Sequence, residues 1–299
     1  MTAKPGTTAD TSQDTRKFRA GLVQMCATRD LDRNVADASD LIRQAAEAGA
    51  QYVQTPEVTT LMELDRNRLF SLIEPEEANP ALVHFQRLAK ELGIWLHIGS
   101  MAVKVSADRL ANRSFVIRPD GGIAARYDKI HMFDVELPGG ESYMESRSYA
   151  PGTTAVVVDL PWGRMGLTIC YDLRFPYLHR ALAKAGAMFI AGPAAFTKTT
   201  GEAHWHKLLA ARAIETQCFV LAAAQTGAHE MGRATFGHSI VVGPWGETIA
   251  EAGTEPGIVI ADIDPAAVSD VRGRVPSLTH DRSFVVVEAD RHHGQGIAT

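Results

Sequence analysis

The strongest constraint on how this chain folds is an alternation. From residue 18 to about residue 285, short apolar runs of strand length alternate with longer stretches of helical periodicity. FRAGLVQM (18–25) reads as a strand. Leu31 to Ala48 carries apolar residues at helical spacing and stops at Gly49. QYVQ (51–54) is a short strand leaving into a loop, and Pro80 to Leu92 is a second helix with Gly93 as its stop. IWLHIGSMAVKV (94–105) and NRSFVIRPDGGIAARYDK (112–129) are strands, the latter folded back at Asp120-Gly121-Gly122. After a loop-rich stretch (134–154), strands are predicted at AVVVDL, MGLTIC, AMFIAG, CFVLAAAQ, HSIVVG, ETIAEA and GIVIADID. Helices are predicted from Phe175 to Ala185, with Pro176 at the first position, and from Glu202 to Gln217.

No repeat, low-complexity block or Pro/Ser-rich linker interrupts residues 18–285, so one α/β domain is expected there. Residues 1–17 and 286–299 are expected to be tails, the first polar and disordered. With 45% hydrophobic residues the chain can bury a large core. Its net charge of −5 and scattered Lys and Arg exclude the concentrated basic face that nucleic acid requires. No apolar run approaches the roughly 18 residues of a membrane span, and the start does not resemble a leader, so no membrane partner and a cytoplasmic location are expected. Cys26, Cys170 and Cys218 are widely spaced without a C-x-x-C, which predicts reduced thiols.

Signatures of α/β-hydrolases, P-loop enzymes, dinucleotide binders and zincins are absent. His204 and His206 invite a metal reading, but residues two apart on a helix do not share a face, so they are expected to be surface or interface histidines. Three places break the pattern of buried strands. Glu57 follows QYVQ in Thr55-Pro56-Glu57, Lys129 follows a strand end in YDKIHMFD, and Cys170 ends MGLTIC before the polar turn YDLRFP. Taken singly, Glu57 reads as a solvated loop acid, Lys129 as a surface charge, and Cys170 as either packing or a nucleophile. A helix N-terminus just beyond Cys170 would favour its thiolate. Together they fill complementary roles, because C-terminal strand ends of an α/β sheet converge on one crevice. Glu57 could take the thiol proton, while the Lys129 ammonium and the Tyr171 N–H could hold an oxyanion.

These residues, in this order and in the segments K-I-H-M-F-D-V-E-L-P-G and C-Y-D-L-R-F-P, resemble the Glu-Lys-Cys triad of the nitrilase superfamily, the carbon–nitrogen hydrolases. The resemblance runs over nearly all of residues 18–285. It implies a four-layer α-β-β-α sandwich that forms homodimers or larger homo-oligomers. It also implies a second glutamate after the lysine, matched by Glu145 rather than Glu141, that orients Lys129 and substrate. The stretches around Ala211–Gln217 and 236–264 look like the Nit branch, that of omega-amidases and deaminated glutathione amidases, with the latter the nearer match. Thr55 and Gly243 depart from the usual residues at their positions; the first is expected near the pocket.

The resemblance implies attack of Cys170 on the carbonyl of a small-molecule amide, a thioester, and hydrolysis by water activated at Glu57, with no metal or organic cofactor. Arg174 is a candidate to grip a substrate carboxylate, against a helix-surface salt bridge. Phe196 and Thr200 are candidates to complete the pocket. The expected substrate is deaminated glutathione (2-oxoglutaramyl-Cys-Gly), with 2-oxoglutaramate or another aliphatic amide as the alternative. Rival readings are a Cys-His hydrolase using His131, His204 or His238, and a non-catalytic binding protein. A glutamine-amidotransferase role is disfavoured, because no synthetase segment accompanies these residues.

Overall fold

Strands from the two ends of the chain pair with each other. The computed structural model describes residues 17–138 and 140–287. In it β1 (Phe18–Gln24) runs antiparallel to the last strand (Gly257–Ile263) and parallel to β2 (Tyr52–Gln54). β3 (Trp95–Lys104), β4 (Leu110–Ile117) and β5 (Ile123–Asp128) extend the same six-stranded sheet. A short ribbon follows, β6 (Asp134–Glu136) with β7 (Ser142–Met144). The second six-stranded sheet holds β8 (Val157–Leu160), β9 (Gly163–Leu167), β10 (Phe189–Ala191) and β11 (Phe219–Ala222). After the small pair β12 (Thr226–Ala228) and β13 (Ala234–Phe236), it is completed by β14 (Ile240–Val242) and β15 (Thr248–Glu251). The last strand is thus β16.

The helices are α1 (Leu31–Glu47), α2 (Arg66–Leu72), α3 (Pro80–Leu92), α4 (Pro176–Lys184), α5 (Lys198–Thr216) and α6 (Ala266–Arg274). Ile42, Leu82, Phe85 and Leu88 pack α1 and α3 on the outer face of the first sheet, against Val23, Val53 and Leu96. Leu22, Tyr52 and Val116 meet Met165, Leu167 and Leu221 between the sheets, and Leu182, Trp205 and Leu209 join α4 and α5 to the second. The layers run helix, sheet, sheet, helix, as expected. Polar and apolar faces on the helices, with apolar residues on both faces of the central strands, suit an arrangement that buries both faces of each sheet.

Helix ends follow local chemistry. Asp30 accepts the Arg33 N–H at the start of α1, Asn79 accepts the Leu82 N–H at the start of α3, and Gly93 closes α3 in the left-handed region. The structure differs from the reading in several elements. Helix α5 starts at Lys198, four residues before Glu202, capped by Thr197. Gly201 weakens the helical signal there, yet a Cβ at that position would stand 2.3 Å from Phe236, so packing requires the glycine. The short helices α2 and α6 carry too little periodicity to be read, and the loop-rich stretch contains the β6–β7 ribbon. Except for Lys17, Val286 and Val287, the two expected tails lie outside the described residues.

Candidate active site

β2 and β5 run in the same direction in one sheet, and β9 and β10 are parallel in the other. Their C-terminal ends release Glu57, Lys129, Cys170 and Ala195, which line one cavity of about 630 Å³. Lys129 Nζ lies 2.8 Å from Glu57 Oε1, and 3.1 and 2.8 Å from the two carboxylate oxygens of Glu145. Glu145 follows the β6–β7 ribbon and also accepts the Phe133 N–H at 2.7 Å. Ala195 N–H donates to Glu57 Oε2 at 2.9 Å.

The electrostatics of the cluster has a definite sign. Burial pushes the Glu57 carboxyl upward, but the Lys129 charge, the facing Cys170 thiol and Arg233 outweigh it, so its pKa is lowered. Burial works against the Lys129 ammonium, yet Glu145 and Glu57 hold its pKa well above the ordinary value. Burial and the Glu57 carboxylate push the Cys170 thiol well above its usual range, with Lys129 opposing. The resting pair is therefore a carboxylate beside a thiol, a base already facing its proton.

The sequence predicts a helix N-terminus just beyond Cys170, whose dipole would favour a thiolate. Cys170 instead opens a 3-10 turn, Cys170–Arg174, and α4 begins only at Pro176. Its backbone is left-handed, φ 49°, a sharp bend for a non-glycine residue. Asp172 holds that bend: one carboxylate oxygen accepts the Ile169 N–H and the Tyr127 hydroxyl, the other the His131 N–H. Among the described residues the Tyr171 N–H has no partner, so it is free to serve as an oxyanion donor.

Arg174, Phe196 and Thr200 also line the cavity. Arg174 lies over the rings of Phe196 and Tyr171 and touches His204 Nδ1 at 3.3 Å. Among the described residues it forms no salt bridge, contrary to the helix-surface alternative. Thr200 is bonded to Thr197 at the start of α5, and Thr55 is wholly buried in a bond to Thr59, so Thr55 does not face the cavity. The three histidines of the rival reading lie elsewhere. His131 stacks on Phe175 and binds Asp172, His204 touches Arg174, and His238 binds Glu251.

Several site residues escaped the sequence reading. Asn112, buried in β4, donates from one nitrogen to Glu57 at 2.9 Å and to Glu145 at 3.1 Å. An asparagine inside a strand is disfavoured, and that was the available signal. Gln225 donates to the Glu57 carbonyl and accepts the Ala27 N–H, clamping the loop. Arg233 lines the cavity beside Tyr143, donating to the Ala195 carbonyl at 2.6 Å. Nothing in HEMGRATF signals it.

The carbon-nitrogen hydrolase family model matches residues 19–273. The chain belongs to the carbon–nitrogen hydrolase family. This makes it a hydrolase of carbon–nitrogen bonds other than peptide bonds. It is 40% identical over 270 residues to the deaminated glutathione amidase of Yersinia enterocolitica, covering 89% of this chain and 94% of that protein. It is 39% identical to the human deaminated glutathione amidase, covering 87% and 80%. Among solved structures, the yeast Nit3 protein, a member of branch 10 of the nitrilase superfamily, superposes with a TM-score of 0.80 at 31% identity, covering 90% and 97%. The Caenorhabditis elegans NitFhit protein gives 0.84 at 39% identity over 90% of this carbon–nitrogen hydrolase and 66% of NitFhit.

Proposed function

We propose that Glu57, Lys129 and Cys170 hydrolyse the amide of deaminated glutathione. The observation that carries this is the buried carboxylate–ammonium pair facing a thiol in a cavity rimmed by arginines. Glu57 takes the Cys170 proton as sulfur attacks the amide carbonyl. The oxyanion is held by Lys129 and the Tyr171 N–H. Both Glu145 oxygens can share one ammonium hydrogen, which leaves one for the oxyanion. Glu57 then gives its proton to the leaving amine, and a thioester remains. Water, deprotonated by Glu57, attacks the thioester; the acid departs and the thiol recovers the proton. Glu145 and Asn112 keep Lys129 and Glu57 in register throughout.

Arg174 and Arg233 support the choice of substrate. Both line the cavity without a carboxylate partner among the described residues, and Arg233 Nε is buried with no hydrogen-bond partner. Deaminated glutathione carries two carboxylates, one at each end of its scissile amide, whereas 2-oxoglutaramate carries one. A cavity of about 630 Å³ suits the larger compound. The test is release of Cys-Gly and 2-oxoglutarate from deaminated glutathione beside ammonia release from 2-oxoglutaramate. A higher kcat/KM for the second compound would overturn the choice.

We infer a homodimer working in the cytoplasm. Exposed Tyr177 on α4 and Ile214 on α5 support association through the outer helix layer, and the free thiols suit a reducing compartment. No helix among the described residues is long and apolar enough to cross a membrane. Light scattering that gives the mass of one chain would overturn the dimer.

A further inference from the structure

Away from the catalytic cavity, α5, the loop after β13 and strand β15 bring two imidazoles and a carboxylate together. His206 Nε2 lies 2.7 Å and His238 Nδ1 2.8 Å from the same oxygen, Glu251 Oε1. Ligand atoms of all three residues lie within 4.8 Å of one another. We propose that His206, His238 and Glu251 form a binding site for a zinc-class divalent ion such as Zn²⁺ or Co²⁺.

The donor set fits that chemistry: two imidazole nitrogens and a carboxylate oxygen, with water to complete the coordination. The three residues are half-buried to partly exposed, so an ion can enter. Binding requires no net loss of protons from neutral imidazoles. Each ring shifts its hydrogen to the other nitrogen, His206 Nδ1 and His238 Nε2, and neither of these has a partner among the described residues. With an ion at about 2.0–2.2 Å from each ligand in tetrahedral geometry, the ligand atoms stand about 3.3–3.6 Å apart. Both nitrogen–oxygen contacts of 2.7 and 2.8 Å must therefore open by roughly 0.5–0.9 Å, a movement within reach of rotation of these partly exposed side chains.

Contacts from three elements fix His238 in place. His238 adopts a left-handed backbone, φ 58°, which a non-glycine residue keeps only under constraint. Its N–H donates to the Gly253 carbonyl at 3.1 Å, and its carbonyl accepts the indole N–H of Trp205 at 2.8 Å. Its ring stacks on Phe236 at 4.3 Å, and the His206 ring meets the edge of the same phenyl group. Trp205 adjoins His206 on α5, so one buried indole ties the helix to the loop carrying the second ligand. His204 lies on another side of α5, against Arg174, and takes no part. The helical pair His204 and His206 thus separates: His204 meets the Arg174 guanidinium, whereas His206 meets the Glu251 carboxylate that also binds His238.

The full chain is titrated with Co²⁺ while its visible absorption is recorded, and Zn²⁺ bound after equilibrium dialysis is counted by mass spectrometry. One ion per chain is expected, with its affinity lowered at least tenfold in His206→Gln and in Glu251→Gln and unchanged in Cys170→Ser and His204→Gln. Circular dichroism melts check that the variants fold; His206 is exposed enough for glutamine to be accommodated. Absence of stoichiometric binding, or binding that survives both His206→Gln and Glu251→Gln, would overturn the site. Binding lost in Cys170→Ser would equally overturn it, because the ion would then be held by the catalytic thiol.

Discussion

Lys129 Nζ lies 2.8 Å from Glu57 Oε1, and both side chains are almost sealed from solvent. Such a pair adds little net stability, because desolvation of the two charges offsets their attraction. Its value is in keeping one carboxylate ionised beside a protonated thiol. Glu57→Gln should therefore lower kcat by about 10²- to 10⁴-fold, the usual range for a positioned base. Steady-state kinetics checks this, and a loss below tenfold would remove Glu57 from its role. Lys129→Met leaves Glu57 and Glu145 facing each other uncompensated and should cost about 3–5 kcal/mol in urea unfolding.

Asn112 is a positioning residue, acting on the reaction through both glutamates. Asn112→Ala removes an amide shared by Glu57 and Glu145. The expected effect is a fall in kcat of about 10- to 100-fold with KM nearly constant, since the change reaches the charge cluster and not the arginines. An equal rise in KM would contradict this division.

The two arginines can be separated by substrate. Arg174→Lys and Arg233→Lys should each raise KM for deaminated glutathione about tenfold or more, because lysine cannot make the bidentate contact. With 2-oxoglutaramate, one variant should behave like the parent enzyme, as that compound has no carboxylate for it to hold. Sensitivity of both variants to both substrates would point to damaged architecture instead.

The pH profile follows from the directions of the shifts. Glu57 is lowered, so the base stays ionised until the pH drops below the ordinary carboxylate range of about 4.3. Lys129 and Cys170 are raised, so both keep their protons well past neutrality. A flat kcat/KM across neutral pH is expected, with slow alkylation of Cys170 by iodoacetamide that quickens only on the alkaline side. A kinetic step near pH 6.5 would indicate a histidine base.

Stability has its own acid limb. Burial lowers the pKa of His97 to about 3 and of His179 to about 4. Unfolded histidine titrates near about 6.5, so the unfolded chain binds protons that the folded one refuses. The contribution of these two residues is complete above about pH 6.5. It is lost as pH falls toward their folded values, by about 1.4 kcal/mol per unit each. Urea midpoints that stay constant from pH 7 to 5 would contradict this.

The sequence by itself determined the fold class. Strand-length apolar runs alternating with helical spacing, as at α1, α3 and α4, call for an α/β domain of stacked layers, and the four-layer order is what the resemblance of the Glu57, Lys129 and Cys170 segments implied. It also pointed to Glu57, Lys129 and Cys170, because each interrupts a buried strand at its end with a group that burial alone does not explain. Asn112, Arg233 and the His206–His238–Glu251 cluster were decided by tertiary structure. Each depends on which elements become neighbours: the loop after β2 and the turn after β7 against β4, the loop after β12 over the loop after β10, and β15 beside α5. Contacts between residues far apart in the chain leave no periodic trace in the text, since a single polar side chain looks alike whether its partner is water or another strand's carboxylate. The same holds for the charge on Cys170. Its position could be read from a strand end, but its resting protonation was set by the burial and the Glu57 carboxylate that only the closed sandwich supplies.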